Sequence, residues 1–184
     1  MLIAAVKHVT EVSLTTNAAL ISRIAAERKK FEGWLQLEIL RLLMHEFPRL
    51  EIEKNFPGTQ ERCDFWIQEL DGTQSWIEIK LCVTNYCSQF CKTTSARPIT
   101  TQITEIERDL AKLRRLPTLH RRAVLLIAYP LPEVAQAQPQ WLSHLTQLKR
   151  SADKISEEFS VRLRHNENAA RAVAYELSLT SAEA

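Results

Sequence analysis

Two adjacent apolar runs, Arg62-Cys63-Asp64-Phe65-Trp66-Ile67 and Ser75-Trp76-Ile77-Glu78-Ile79-Lys80-Leu81, are joined by Asp71-Gly72-Thr73 and carry charges inside strand-like sequence. Successive strand residues point to opposite faces, so Phe65 and Ile67 share one face while Asp64, Trp66 and Gln68 take the other. In the second run Ile77, Ile79 and Leu81 oppose Trp76, Glu78 and Lys80. Both apolar sets must reach one core. That predicts a β-hairpin in which Phe65 faces Ile79 and Ile67 faces Ile77, closed by a three-residue turn with Gly72 at positive φ. Asp64 then lies opposite Lys80, with Glu78 diagonal to it at roughly 7–8 Å along the backbone. At that separation two carboxylates can converge on one divalent ion beside an ammonium. The plainer reading is a set of cross-strand ion pairs facing solvent, but Trp66 and Trp76 on the same face argue against full exposure.

The rest of the chain supplies a frame for this hairpin. Residues 18–47 read as one long amphipathic helix with Ile21, Ile24, Phe31, Leu35, Leu42 and Leu43 inward. Glu38 interrupts its buried stripe, either as a salt-bridged residue at the stripe edge or as a third acidic group facing the hairpin. Residues 50–56 read as a strand stopped by Pro57-Gly58, and 99–116 as a helix with Ile103, Ile106, Leu110 and Leu113 on one face, stopped by Pro117. Residues 123–129 are continuously apolar, the pattern of a strand buried on both faces. A helix over 140–155 and strands over 159–163 and 172–177, around a turn at Asn166-Glu167-Asn168, close the chain. This last hairpin extends the sheet or makes a dimer contact. The polar stretch 84–98, with Asn85, Tyr86, Gln89, Phe90, Lys92 and Arg97, starts where the second charged strand ends. It is placed either to touch a substrate or to run over the surface without that role.

Asp64 with Glu78-Ile79-Lys80, a D-x13-E-x-K pattern, resembles the signature of the PD-(D/E)xK nuclease superfamily, with Cys63 where the family often has proline. The resemblance covers roughly residues 18–130. It implies an α/β protein with a restriction-endonuclease-like α-β-β-β-α-β core, a mixed central sheet flanked by helices, and here a C-terminal helix and β-hairpin. It implies a metal-dependent nuclease, with DNA as the expected substrate. Asp64, Glu78 and the Ile79 carbonyl would hold Mg²⁺ or Mn²⁺, and Lys80 would orient the attacking water or help deprotonate it. Glu38 and Gln102 occupy the places of further polar groups near such a site. The alternative is an inactive nuclease-like fold that binds nucleic acid or protein, as an immunity-type module does.

Composition fits one domain over 1–184, with a core over about 18–130 and an extension over about 131–184. The net charge of +2 leaves any nucleic-acid surface to charge placement rather than excess. The apolar start Met1-Leu2-Ile3-Ala4-Ala5-Val6 is cut short by Lys7, so neither a signal peptide nor a membrane partner is expected and the location expected is cytoplasmic. Cys82, Cys87 and Cys91 are spaced C-x4-C-x3-C, without the paired knuckles of common zinc sites. Cys63 and Cys82 are expected to be small strand residues rather than metal ligands.

Overall fold

The apolar run around Val124 becomes the centre of a sheet. In the computed structural model, which describes residues 2–68, 71–91, 97–133 and 138–180, β4 (Arg121–Leu131) is buried along nearly its whole length. It belongs to one mixed sheet with β1 (Leu50–Asn55), β2 (Arg62–Gln68), β3 (Gln74–Val83), β5 (Lys154–His165) and β6 (Asn168–Leu179), in the order β1-β2-β3-β4-β6-β5. Only β3 and β4 run parallel, and the crossover between them is α4 (Ile99–Arg114). Helices α1 (Leu2–Thr16), α2 (Ala18–Ala26) and α3 (Glu32–Leu43) cover one face, over Phe65, Ile77, Ile79, Leu125 and Ile127. On the other face α4 and α5 (Pro139–Leu148) pack over Trp76, Cys82, Val124 and Leu126. The C-terminal hairpin extends the sheet: β6 pairs with β4 and leaves β5 as an edge. No helix among the described residues is long and apolar enough to cross a membrane.

Three expectations need correction: the helix over 140–155 ends at Leu148, with β5 beginning at Lys154, and the other two bear on the site. The long helix over 18–47 is broken in two, because α2 ends in a left-handed cap. Arg28 has φ 51°, its N–H donates to Ala25 O and that of Lys29 to Ile24 O. These are the two bonds that close a helix when the chain reverses. The charged run Glu27-Arg28-Lys29-Lys30 offers nothing for the core to hold, so α3 restarts at Glu32 with a new rotational phase.

The hairpin register is also shifted. Phe65 pairs with Ile77 and Ile67 with Ser75, two residues away from the pairing expected. The connection between Gln68 and Gln74 is longer than the three-residue turn expected; its described part holds Asp71 Oδ1, which accepts the Thr73 N–H, and Gly72 at φ 85°. A shift of two leaves every side chain on its own face, so the hydrophobic argument survives while the neighbour of Asp64 changes. Continued by one step, this register sets Asp64 against Glu78, not Lys80.

Candidate active site

β2 and β3 separate partway along. Their ladder runs from Gln68 and Gln74 to Phe65 and Ile77 and stops there. A strand residue turns its N–H and C=O toward the same neighbour, so beyond Ile77 the alternate residues Ile79, Leu81 and Val83 face an edge that β2 has left. Side chains take its place. Asp64 Oδ2 accepts the Ile79 N–H at 2.7 Å, Glu32 Oε2 the Leu81 N–H at 3.4 Å, and Gln102 Oε1 the Val83 N–H at 2.9 Å. Buried backbone donors need partners, and two of these three are carboxylates, which makes the opening acidic.

The separation begins at an irregularity around Asp64. Strict alternation would place Cys63 and Phe65 on one face, yet Cys63 packs beside Trp76 and Phe56 while Phe65 packs beneath α1 to α3. On the neighbouring strand Ile52 pairs with Phe65 and Lys54 with Cys63, while Glu53 between them takes φ 53°. A left-handed residue other than glycine costs roughly 1–2 kcal/mol. The Cys63 thiol donates to Phe65 O at 3.4 Å and to Ile77 O at 3.3 Å, bridging the two strands where they part.

Four carboxyl groups surround one ammonium here. Glu78, on the α4 face of β3, is 2% exposed, shares a hydrogen bond with Asp64 and leaves its Oε1 without a partner. Burial first, and then the Asp64 charge, push Glu78 up to about 10, so at neutral pH it keeps a proton and donates it to Asp64. Asp64 is itself raised by burial, against the pull of Lys80 and of the Ile79 N–H. Lys80 Nζ lies 3.4 Å from Asp109 Oδ2, 3.8 Å from Glu32 Oε1 and 3.9 Å from Glu78 Oε2. Burial works against this ammonium, but Asp109, Asp64, Glu32 and Glu78 together hold its pKa above the usual lysine value. Lys80 is therefore held as a positive charge among these acids. A cleft of about 350 Å³ opens above it, lined by Lys30, Glu32, Lys80, Glu105, Arg108, Asp109 and Lys112.

Among the described residues no group of three or more His, Cys, Asp or Glu side chains is placed to hold a metal ion. The donors that do converge are the Asp64 and Glu78 carboxyls, with the Ile79 carbonyl turned to the same opened edge as its N–H. Two hard carboxyl groups and a carbonyl fit a small divalent cation that keeps several of its waters, and the orphaned Glu78 Oε1 is a buried acceptor in want of one.

Glu38 is not part of this arrangement. It pairs with Arg41 at 3.0 Å on the outer side of α3, because in the restarted helix the inward stripe runs through Leu35, Ile39 and Leu43 and Glu38 sits about 100° off Ile39. The acid one turn before Leu35, Glu32, takes the expected place. Asp109 was the other residue missed. It lies on the buried face of α4 with Gln102, Ile103, Ile106, Leu110 and Leu113, and an acid inside an apolar stripe is the signal that would have found it. We expect Glu38→Gln to leave any metal-dependent cleavage within about twofold of wild type and Glu32→Gln to lower it about tenfold, by loosening one anchor of the Lys80 charge. Rates measured side by side at saturating Mg²⁺ decide between the two acids.

Gln102 reaches the site's edge but serves the backbone. Its amide accepts the Val83 N–H, donates to Val83 O at 2.9 Å and to Arg97 O at 3.2 Å, mimicking the strand that is missing. Gln102→Leu should cost about 1–3 kcal/mol by stranding those groups, read as a lower denaturant midpoint, whereas direct contact with substrate would show as a rate loss at unchanged stability. In the stretch 84–98, Phe90 is buried in the core and Arg97 pairs with Glu105. Lys92 lies outside the described residues. Cys63 and Cys82 are buried in β2 and β3. Comparisons with protein-family models, with curated proteins and with solved structures each give no significant match.

Proposed function

We propose that this chain is a metal-dependent nuclease of the restriction-endonuclease-like kind, hydrolysing phosphodiester bonds, with DNA as the favoured substrate. The observation that carries the reading is the carboxyl pair of Asp64 and buried Glu78, hydrogen-bonded to each other behind the Lys80 ammonium, which with Glu32 and Asp109 lines the cleft. A protonated, half-satisfied Glu78 lowers stability, and a strongly perturbed acid buried one residue-pair behind a cleft is the kind found disproportionately where chemistry is done. The order α3-β1-β2-β3-α4-β4 supports the same reading.

Asp64, Glu78 and the Ile79 carbonyl would hold Mg²⁺ or Mn²⁺, which when bound polarises a phosphoryl oxygen and makes water more acidic. The remaining steps belong to the chain. Lys80, anchored by Asp109 and Glu32, presents a positioned charge to the phosphate oxygens and orients the incoming water. Its compact head suits that role better than a planar guanidinium would. Trp76, stacked on Phe56 at 5.3 Å and meeting Trp66 edge-on at 6.2 Å, shields the site from bulk water on the β2 side. The test is a cleavage assay on duplex, single-stranded and branched DNA and on RNA, with Mg²⁺, with Mn²⁺ and with chelator. Cleavage of at least one substrate, abolished by chelator, is expected. No cleavage of any substrate with either metal would leave a binding module instead.

A further inference from the structure

The cleft has cations on two walls that the chemistry above does not use. On α4 the residues Glu105, Arg108, Asp109 and Lys112 recur at i, i+3, i+4 and i+7 and all line the cleft, which puts them along one side of the helix. Three of the four are engaged: Glu105 with Arg97, Asp109 with Lys80, and Lys112 with Asp109 at 3.1 Å. Arg108 is exposed and, among the described residues, makes no hydrogen bond or ion pair. A cation held over a cluster of carboxylates without pairing to any of them is free to take an outside anion. Across the opening, on the helical layer of the opposite face, Lys30 is exposed in the break between α2 and α3 and lines the same cleft. Its charge is felt by Glu32, so it too stands close above the reacting groups.

Resting on the nuclease reading, we propose that Arg108 and Lys30 grip the backbone phosphates on either side of the scissile one, so that a nucleic-acid strand crosses the cleft from the α4 wall to the α2–α3 wall with Lys80 beneath its middle. The chemistry matches a polyanion better than a lone small anion. Two cations on separate elements, with an ammonium and several acids between them, make a positive–negative–positive profile. A chain of phosphates whose central member is shielded by a divalent cation complements that profile.

The test is equilibrium binding of fluorescent single-stranded and duplex oligonucleotides in chelator, where hydrolysis does not run, across a salt series. Every phosphate that the protein ceases to neutralise reduces the steepness of the negative slope of log K against log salt, by about 0.9 on duplex and about 0.7 on single strands. Arg108→Ala and Lys30→Ala should each lower it by about one phosphate's worth, and the double variant by about two. Arg164→Ala, on edge strand β5 far along the sheet order, should leave it unchanged. Both residues are exposed, so folding is not at stake. Slopes that do not move in either variant, or wild type that does not bind at low salt, overturn the proposal. Unmoved slopes in a protein that cleaves with Mg²⁺ would sink the grip and spare the nuclease. Shallower slopes in a protein that never cleaves would do the reverse.

Discussion

Glu78→Gln should abolish metal-dependent cleavage and yet raise the melting temperature of the protein at neutral pH. The two effects have one cause. Glu78 is buried, lies against Asp64 and is pushed up to about 10, so the folded chain holds a proton there that the unfolded chain releases near the ordinary glutamate value of about 4.5. Where the native state binds more protons than the unfolded state, stability falls as pH rises, by up to about 1.4 kcal/mol per pH unit for one group. The loss starts near pH 4.5 and runs to the folded-state value of about 10. A glutamine keeps the shape and can still donate to Asp64, but it carries no proton to lose. At pH 7.5 the variant should be more stable by about 2–4 kcal/mol, or roughly 5–10 °C in Tm for a chain of this size. Its stability should also change less between pH 5 and 9 than that of wild type. Melting curves across that range, with a cleavage assay on the same samples, test both halves. A Glu78→Gln protein that is less stable at every pH would show that the carboxylate is needed by the fold.

Asp64→Ala should reduce cleavage by several orders of magnitude, because it removes both a charge the reaction uses and the acceptor that turns Ile79 toward the site. Lys80→Ala should be as inactive and also less stable, since the Asp109, Asp64 and Glu32 carboxylates would then be left without their shared cation. The contrast matters. If Lys80 were a proton acceptor, activity at saturating metal would go on climbing with pH after Glu78 had released its proton; as a fixed charge Lys80 adds no rise beyond the one Glu78 causes.

That Glu78 and Lys80 converge was legible in the sequence because they share a face of β3, and a register shift of two leaves faces untouched, whereas Asp64 joins them at a break in alternation that puts Cys63 and Phe65 on opposite faces. The buried strand around Val124, the crossover helix and the C-terminal hairpin were legible from runs whose lengths and periods admit one reading each. Glu32 was not. Its position depends on the rotational phase of α3, which is reset by the left-handed cap at Arg28, and nothing apolar in Glu27-Arg28-Lys29-Lys30 marks where the new helix begins. Asp109 and Gln102 stand seven residues apart on the buried stripe of α4, so both were visible as polar intrusions. Only tertiary placement assigns one to Lys80 and the other to Val83. The separation of β2 from β3 had no sequence signal at all: it arises where Glu53 adopts a conformation that alternation of apolar residues does not reveal.

Titration of the protein with Mn²⁺, followed by the loss of the free-ion paramagnetic resonance signal, shows whether Asp64 and Glu78 hold a cation together. Wild type should bind Mn²⁺ saturably at one site, more tightly as pH rises because Glu78 must release its proton to become a ligand. Glu78→Ala and Asp64→Ala should each abolish that binding. Equal Mn²⁺ binding by wild type and Glu78→Ala, or none by wild type at any pH, would mean that Asp64 and Glu78 are not a metal-binding pair.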